Sequence, residues 1–483
     1  MLNEWLNTIG NIYWFFMLVA YPLTIRNGYH DIATSKLVFF FTFSFLFIIA
    51  NLVIHIISRL KNIPLVKKDL QNPEKIILII LSITILITFI KNGDYTFNIW
   101  APGEMHMSIL FLGTLILVYF FIRQIPYNKE FVAILASAGV SLVSLLAIVQ
   151  FLGLTFNTFF YSGGEAPTSR TFVATMSNRD LVGFYFIIML PLCFYLSTNK
   201  KIAYKILGII SVILTSLGIV VSDTDAAILC FAFELVLIAL ISGTDIEHAK
   251  AFAINVFSIG TAFALLGLLA KLCPNTADMA FIPTLFLSPI MAGLFVGIAI
   301  ILFMLVHFNR LIVTRVLSTI TLIILCLYPL YILIYTLLRG NFAEDWLPFD
   351  SFLLFNDSWG SSRGYIWKMS LDLFGEKNIF DKLFGLGAQG YGFAYLEYVT
   401  RNPHPGYSLP YYDVHNMYLH YMIEYGIIGI ISACSLFIYR AKMMLTDTDY
   451  FFKIKGIALI TAMISAIFLF FNNINMAFIP CIL

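Results

Sequence analysis

The sequence predicts an all-α polytopic membrane protein with about 12–13 transmembrane helices and one large extracytoplasmic loop that contains short helices. The chain has 483 residues, of which 60% are hydrophobic and 12% charged, whereas soluble domains carry about 25% charged residues. Its apolar runs, such as the one from Leu37 to Ser58, reach the roughly 20 residues that a helix needs to cross a bilayer core. The apolar segments are centred near residues 18, 47, 83, 115, 142, 189, 212, 234, 261, 295, 327, 427 and 467.

The distribution of lysine and arginine predicts the orientation. Outside the long loop, most of these residues lie in the loops that follow even-numbered segments, so the positive-inside rule places the N-terminus in the cytoplasm. The first apolar segment lacks a cleavage site and is interpreted as a signal anchor. The net charge of +2 gives no indication of nucleic-acid binding. The six cysteines lie in or beside apolar segments without a CxxC pair and are interpreted as packed core residues.

Three regions follow from this pattern. We expect residues 1–338 to form a transmembrane bundle of about eleven spans, 339–413 an extracytoplasmic loop that is part of the candidate functional site, and 414–483 the C-terminal transmembrane helices. Within the loop, the stretch "SSRGYIWKMSLDLFGEK" predicts an amphipathic helix. Ser361 or Ser362 would cap it and Gly375 would end it. Its predicted apolar stripe consists of Ile366, Met369, Leu373 and Phe374.

A second outer stretch, "SNRDLVGFYF", begins at Ser177. Ser177 and Asp180 match the Ser-x-x-Asp capping box that starts a helix. Asn178 and Arg179 have no such explanation, and Arg170 lies a few residues upstream. An arginine in this position either anchors lipid headgroups or clamps phosphate oxygens with its planar fork of donors.

Other polar patterns within the apolar chain allow several interpretations. Asp223 and Asp225 lie in a turn between two spans and either cap a helix or hold a divalent metal. Glu234 is an acid inside a span, which is either functional or simply hydrogen-bonded within the bundle. The stretch "GLGAQG" from Gly385 to Gly390 lacks the context of a nucleotide-binding motif. It predicts a flexible turn, which we expect to lie near the candidate functional site of the long loop.

His415 opens the segment centred near residue 427. With Asp413 as N-cap, it would lie in the first helical turn, where backbone N–H groups attract phosphate and the helix dipole keeps the imidazole neutral. A neutral histidine beside a bound anion is suited to accept a hydroxyl proton. The alternative is that His415 merely lies at the membrane interface and takes no part in a reaction. Glu424 falls about 13 Å further along the opposite helix face, so we expect it to be buried against another helix instead.

Three stretches together resemble the O-antigen ligase and O-antigen polymerase superfamily of bacterial envelope glycosyltransferases. They are "SRTFVATMSNRDLVGFYFIIMLPL", "SSRGYIWKMSLDLFGEKNIFDKLFGLGAQGYGF" and "DVHNMYLHYMIEYGIIGI". The resemblance implies transfer of a glycan from a polyprenyl diphosphate carrier to an acceptor hydroxyl outside the cytoplasmic (inner) membrane. The implied partners are that donor, a glycan, lipid or protein acceptor, and membrane lipids. No cofactor is expected.

The resemblance also implies roles for individual residues. Arg363 would bind the diphosphate, His415 would orient or deprotonate the acceptor hydroxyl, and Arg170 would add positive potential. The family arginine expected near Asp225 is absent, so Arg170, Arg179 or a metal on Asp223 and Asp225 would replace it. The substrate-binding candidates are Arg170, Arg179, Asn178, Asn416, Trp367 and Tyr412, with the aromatic residues of the loop offering flat faces to sugar rings.

The sequence is compatible with two classes of function. A flippase for lipid-linked glycans is the alternative to the transferase, but a transporter is expected to hold polar sites near the midplane of the membrane. In this sequence the polar chemistry is concentrated on one outer face. Ligase and polymerase share the same donor and differ only in acceptor, so the sequence does not separate them.

Overall fold

A computed structural model describes residues 2–26, 31–65, 70–92, 99, 107–154, 174–273, 275–339, 350–403, 413–469 and 471–483. Within these residues all regular secondary structure is helical. Nine of the described helices are long and apolar enough to cross a membrane, and a further candidate span consists of two helices bent by 40°. The predicted class, an all-α polytopic membrane protein, is therefore confirmed.

The helices follow the apolar segments in chain order, and two of them, Ile32–Leu60 and Met417–Leu445, reach 29 residues. A π-helical turn, Phe16–Ala20, joins the first two helices. Up to residue 272 the helices are α1 (Leu2–Phe15), α2 (Tyr21–Leu23), α3 (Ile32–Leu60), α4 (Asn72–Asn92), α5 (Ile109–Ile122), α6 (Lys129–Phe151), α7 (Arg179–Ser197), α8 (Ile202–Val221), α9 (Asp225–Ser242) and α10 (Ile246–Leu272).

The second half of the chain contains the bent pair, the short helices of the long loop and the C-terminal helices. They are α11 (Phe281–Leu285), α12 (Pro289–His307), α13 (Leu311–Cys326), α14 (Tyr328–Arg339), α15 (Asp350–Leu353), α16 (Trp359–Glu376), α17 (Ile379–Phe384), α18 (Gly390–Arg401), α19 (Met417–Leu445), α20 (Tyr450–Ser465), α21 (Asn473–Met476) and α22 (Ile479–Ile482). The bent pair is α13 and α14.

Helix α7 lies at the centre of the bundle. Its side chains are buried almost throughout, because α6, α8, α9 and α20 surround it. By contrast, α12 buries only Ala292, Ala299 and Val306 and presents its other apolar side chains outward. In a bilayer such an apolar outer face contacts lipid. Because α7 is packed on all sides, its N-terminus is held in a fixed position, where it can contribute to a site.

The last apolar segment turns back on itself. The backbone N–H of Met417, at the start of α19, donates to the carbonyl of Ala466, which follows α20. Arg440, near the end of α19, donates from Nε and Nη2 to the carbonyl of Leu483 at 3.1 and 2.8 Å. The chain after α20 therefore runs back along the length of α19, with α21 and α22 buried in the bundle.

The described part of the long loop packs as a small helical unit on α19. Ile366, Met369 and Leu373 of α16 are buried with Tyr391 and Tyr395 of α18. The predicted apolar stripe of α16 is thus confirmed at these three positions. The predicted caps are wrong: Ser361 and Ser362 have left-handed φ angles of 61° and 74° and follow Gly360, at 58°, in a kink at the start of the helix.

Two glycines lock this unit to a break in α19. Gly426 has φ 72° and ψ 178°, a conformation that interrupts the helix and is essentially restricted to glycine. The break leaves the carbonyls of Ile423 and Glu424 to accept from the N–H groups of Leu386 and Gly387 at 2.9 and 2.8 Å. A Cβ on Gly385 would lie 2.2 Å from the carbonyl oxygen of Glu424. The "GLGAQG" turn is therefore docked by backbone hydrogen bonds, whereas the sequence predicts a flexible turn.

Candidate functional site

The N-terminus of α7 supplies the first part of the site. Asn178 is the N-cap, and its side-chain oxygen accepts from the N–H of Asp180 at 2.8 Å. The prediction that Ser177 caps this helix is wrong, because Ser177 precedes the cap with φ 70°. The acidic side chain of Asp180 lies in the first turn, where the helix dipole favours a negative charge.

Arg179 ties this helix start to the turn between α8 and α9. Its Nη1 lies 2.5 Å from Oδ2 of Asp223, whose other carboxylate oxygen accepts from the N–H of Ala280 at 2.6 Å. Asp225, two residues later, interacts electrostatically with both Arg363 and Arg179. Of the replacements considered for the missing family arginine, the structure places the guanidinium of Arg179 at this turn.

Arg363 approaches the same place from the loop. It follows the left-handed turn Gly360–Ser362, and its Nη1 donates to the carbonyl of Gly360 at 2.8 Å. Its Nη2 lies 3.5 Å from Oδ2 of Asp180, with side chains that are only 18% and 16% exposed. The kink thus lets Nη1 of Arg363 bond to the turn that precedes it, while Nη2 points toward the start of α7.

His415 reaches this cluster from the start of α19. Asn416 is the N-cap of that helix and accepts from the N–H of Leu419 at 3.1 Å, so the prediction that Asp413 caps the helix is wrong. His415 lies outside the first turn, with φ 49°. The carboxylate of Asp413 instead accepts from the backbone N–H of His415 at 2.5 Å.

The imidazole of His415 faces two carboxylates. Its Nδ1 lies 3.7 Å from Oδ2 of Asp413 and 3.9 Å from Oδ2 of Asp180. The side chain is 30% exposed. Since Nδ1 is the ring nitrogen on the carboxylate side, Nε2 is the atom suited to accept a proton from a substrate.

An aromatic group lies next to His415. Trp367 donates from Nε1 to the carbonyl of Val414 at 3.2 Å, and its ring packs edge-on against Trp359 at 5.4 Å between centroids. Phe355 completes the group at 6.3 Å from Trp367. Partly buried rings of this kind offer apolar faces to a sugar. The group also fixes the backbone just before His415.

The acidic residue of α19 itself, Glu424, has a different role from Asp413. Glu424 is 2% exposed, as expected for a residue buried against other elements, and its Oε2 lies 3.4 Å from Nε2 of His420. The ring of Tyr391 packs against His420 at 5.6 Å, and burial raises the pKa of the Tyr391 phenol. His420 and Glu424 lie between His415 and the helix break at Gly426, and their buried contact stabilises the first turns of α19.

The candidate residues are thus brought together in part. Six of them converge at the starts of α7 and α19, namely Asn178, Arg179, Arg363, Trp367, His415 and Asn416. Arg170 and Tyr412 lie outside the described residues. Glu234 lies near the middle of α9, away from the helix start, and is fully buried. Within the described part of the chain its carboxylate oxygens have no hydrogen-bond partner.

For two members of the site, Asp180 and Asp413, the sequence predicts only helix capping. A local pattern explained each of them, so neither suggested a role beyond its own helix. Backbone strain is the second feature that the sequence did not show. Among the described non-glycine residues with positive φ, half belong to these segments, namely Ser177, Asp223, Ser361, Ser362 and His415. Such strain clusters at functional sites.

The charge of the site is mixed. Four carboxylates, those of Asp180, Asp223, Asp225 and Asp413, meet two guanidinium groups. Among the described residues no group of three or more His, Cys, Asp or Glu side chains has the arrangement of a metal site. Each oxygen of the Asp223 carboxylate already has a partner in Arg179 or Ala280.

The fold and this site define a polytopic membrane protein with an arginine, histidine and aspartate cluster at one end of its helix bundle. Residues 279–434 match the family model described as O-antigen ligase, which confirms the resemblance to the O-antigen ligase and polymerase superfamily. The matched range includes Arg363, Trp367 and His415 and ends before α20. No curated protein matches the chain. The match supports glycan transfer of the ligase or polymerase type in general terms.

Proposed function

We propose that the protein transfers a glycan from a polyprenyl diphosphate carrier to an acceptor hydroxyl at the outer face of the bacterial cytoplasmic membrane. The observation that carries this proposal is the convergence of Arg363 and His415 on Oδ2 of Asp180, at 3.5 and 3.9 Å. A cation for the leaving diphosphate and a base for the acceptor are the two groups that such a transfer requires.

The leaving group is the first chemical problem. As the bond between the sugar and the diphosphate breaks, negative charge grows on the diphosphate oxygens. Arg363, held by its bond to the carbonyl of Gly360, would stabilise that charge with its fork of donors. Arg179 would add positive charge from the neighbouring helix start, and Arg170 is proposed to contribute from the segment outside the described residues.

The acceptor hydroxyl poses the second chemical problem, because it has to lose its proton. His415 would take its proton on Nε2 while Asp413 and Asp180 face Nδ1. The acceptor oxygen then forms a bond to the anomeric carbon and the diphosphate leaves with the bonding electrons. Trp367 and Tyr412 are proposed to stack against sugar rings, and Asn178 and Asn416 to bind sugar or phosphate oxygens in addition to capping their helices.

Mutation of the two residues tests the proposal. Purified protein in lipid is supplied with a polyprenyl diphosphate-linked glycan and candidate acceptors. We expect His415→Ala and Arg363→Ala to lose transfer while inserting into the membrane normally. Arg401→Ala is a matched control, because Arg401 is an exposed loop arginine paired with Glu376 and Glu397. Transfer at the wild-type rate by both site variants would refute the assignment, and movement of the donor between leaflets without transfer would favour a flippase.

A further inference from the structure

One carboxylate oxygen joins the two halves of the proposed reaction. Oδ2 of Asp180 lies 3.5 Å from Nη2 of Arg363 and 3.9 Å from Nδ1 of His415. Arg363 comes from the loop, His415 from the start of α19 and Asp180 from the central helix α7. Asp180 therefore approaches both the proposed diphosphate-binding group and the proposed base.

A capping role does not account for this arrangement. An acid in the first turn of a helix stabilises the helix through its dipole whichever way its side chain points, and the N-cap is already provided by Asn178. The carboxylate of Asp180 instead turns to two groups from distant segments. It is also largely shielded, with 16% of the side chain exposed.

Resting on the function proposed above, we propose that Asp180 couples binding of the donor diphosphate at Arg363 to proton acceptance by His415. A diphosphate carries more charge than a carboxylate and binds a guanidinium through two oxygens, so it competes with Asp180 for Arg363. The displaced carboxylate then still faces Nδ1 of His415. It stabilises the imidazolium that forms when His415 takes the acceptor proton.

This coupling gives the two substrates an order. Because the carboxylate of Asp180 is shared, the base is strengthened only when the donor is in place, and energetic coupling between the two sites is reciprocal. Asp413 stays on His415 throughout, since its other oxygen holds the backbone N–H of that residue. The excess of carboxylates in the site is thereby explained in part, because one of them serves as the exchangeable partner of Arg363.

The test is a split between the kinetic constants of Asp180→Asn. Removing the charge ends the competition for Arg363, so the KM for the donor and the inhibition constant for inorganic pyrophosphate should both fall, by about 3- to 10-fold. The same change removes a partner of the imidazolium, so kcat should fall by about 10- to 100-fold, within the usual range of energetic coupling and general-base effects. Asp180→Glu, which keeps the charge, should recover part of kcat.

A purely structural role would give a different pattern. It would lower the yield of folded protein or raise KM, and it would not tighten inhibition by pyrophosphate. Glu376→Gln is the control, because Glu376 is an exposed loop acid paired with Arg401. If Asp180→Asn fails to fold, Asp180→Ser removes the same charge with a smaller side chain and is expected to show the same split.

The possible outcomes separate the two proposals. An Asp180→Asn variant with unchanged kcat, or with a raised inhibition constant for pyrophosphate, would overturn the coupling while loss of transfer in His415→Ala keeps the proposed function. Wild-type transfer by His415→Ala and Arg363→Ala would overturn the proposed function itself.

Discussion

Gly426 is predicted to hold the long loop against α19, and Gly426→Ala should release it. The φ and ψ of 72° and 178° cost a non-glycine residue about 1–3 kcal/mol. The new Cβ would lie 2.2 Å from the carbonyl oxygen of Leu383, so the turn at Gly385–Gly387 has to move away. That movement breaks the two hydrogen bonds to Ile423 and Glu424, worth about 1 kcal/mol each.

Together these terms weaken docking of the loop by about 3–5 kcal/mol. Since each 1.4 kcal/mol corresponds to a factor of ten, the population with a released loop should rise by about two to three and a half powers of ten. Limited proteolysis of residues 350–403 in the purified protein measures this population, because cleavage follows the open fraction when reclosing is fast. We also expect glycan transfer to fall, since the loop carries Arg363.

Gly293→Ala is the matched control for this experiment. Gly293 lies in α12, where a Cβ would meet nothing within 4 Å. That variant should be cleaved at the wild-type rate. If Gly426→Ala is also cleaved at the wild-type rate, the docking of the loop by these backbone contacts is refuted.

Three further predictions concern the charges. Arg179→Ala and Asp223→Ala should each slow transfer, and the double variant should be no slower than the worse single one, since the pair acts as a unit; additive effects would contradict this. Glu74→Gln should lower the free energy of unfolding by about 3–5 kcal/mol, because it leaves the buried Arg440 and the partly buried Arg123 beside a neutral group; thermal unfolding in detergent measures this, and the exposed Glu397→Gln should have no effect. EDTA should leave transfer unchanged, because Arg179 and the N–H of Ala280 occupy the carboxylate of Asp223; loss of transfer restored by a divalent cation would show the opposite.

The helices were predictable from the sequence because each apolar segment is long enough to require burial in a bilayer. Two segments differ from this expectation. The segment near residue 115 forms a helix of only 14 residues, Ile109–Ile122. The segment near residue 467 turns back along α19, which depends on contacts with Met417 and Arg440. Periodicity also predicted the buried stripe of α16, because the spacing of Ile366, Met369 and Leu373 is a local property.

The helix starts were predicted less well. Ser, Asp and Asn are similarly good caps, so neighbouring residues compete, and Asn178 and Asn416 cap α7 and α19 instead of Ser177 and Asp413. The difference moves His415 out of the helix and frees Asp413 to face it. Propensity alone does not decide between such neighbours.

The composition of the site was predicted only in part. Arg363 and His415 are predicted through a family resemblance, whereas the role proposed for Asp180 depends on contacts with segments far away in the chain. The left-handed turn before Arg363 was also hidden, because two of its three residues are serines, which rarely adopt that conformation. Similarly, the sequence of the Gly385 turn gives no sign that its N–H groups cap a broken helix.

The most direct test of the proposed function is glycan transfer from a polyprenyl diphosphate donor by purified protein in lipid, comparing wild type with His415→Ala, Arg363→Ala and Arg401→Ala. We predict transfer by the wild type and by Arg401→Ala, and none by the two site variants. Equal transfer by all four proteins would contradict the assignment of Arg363 and His415, whose approach to Asp180 is its main support.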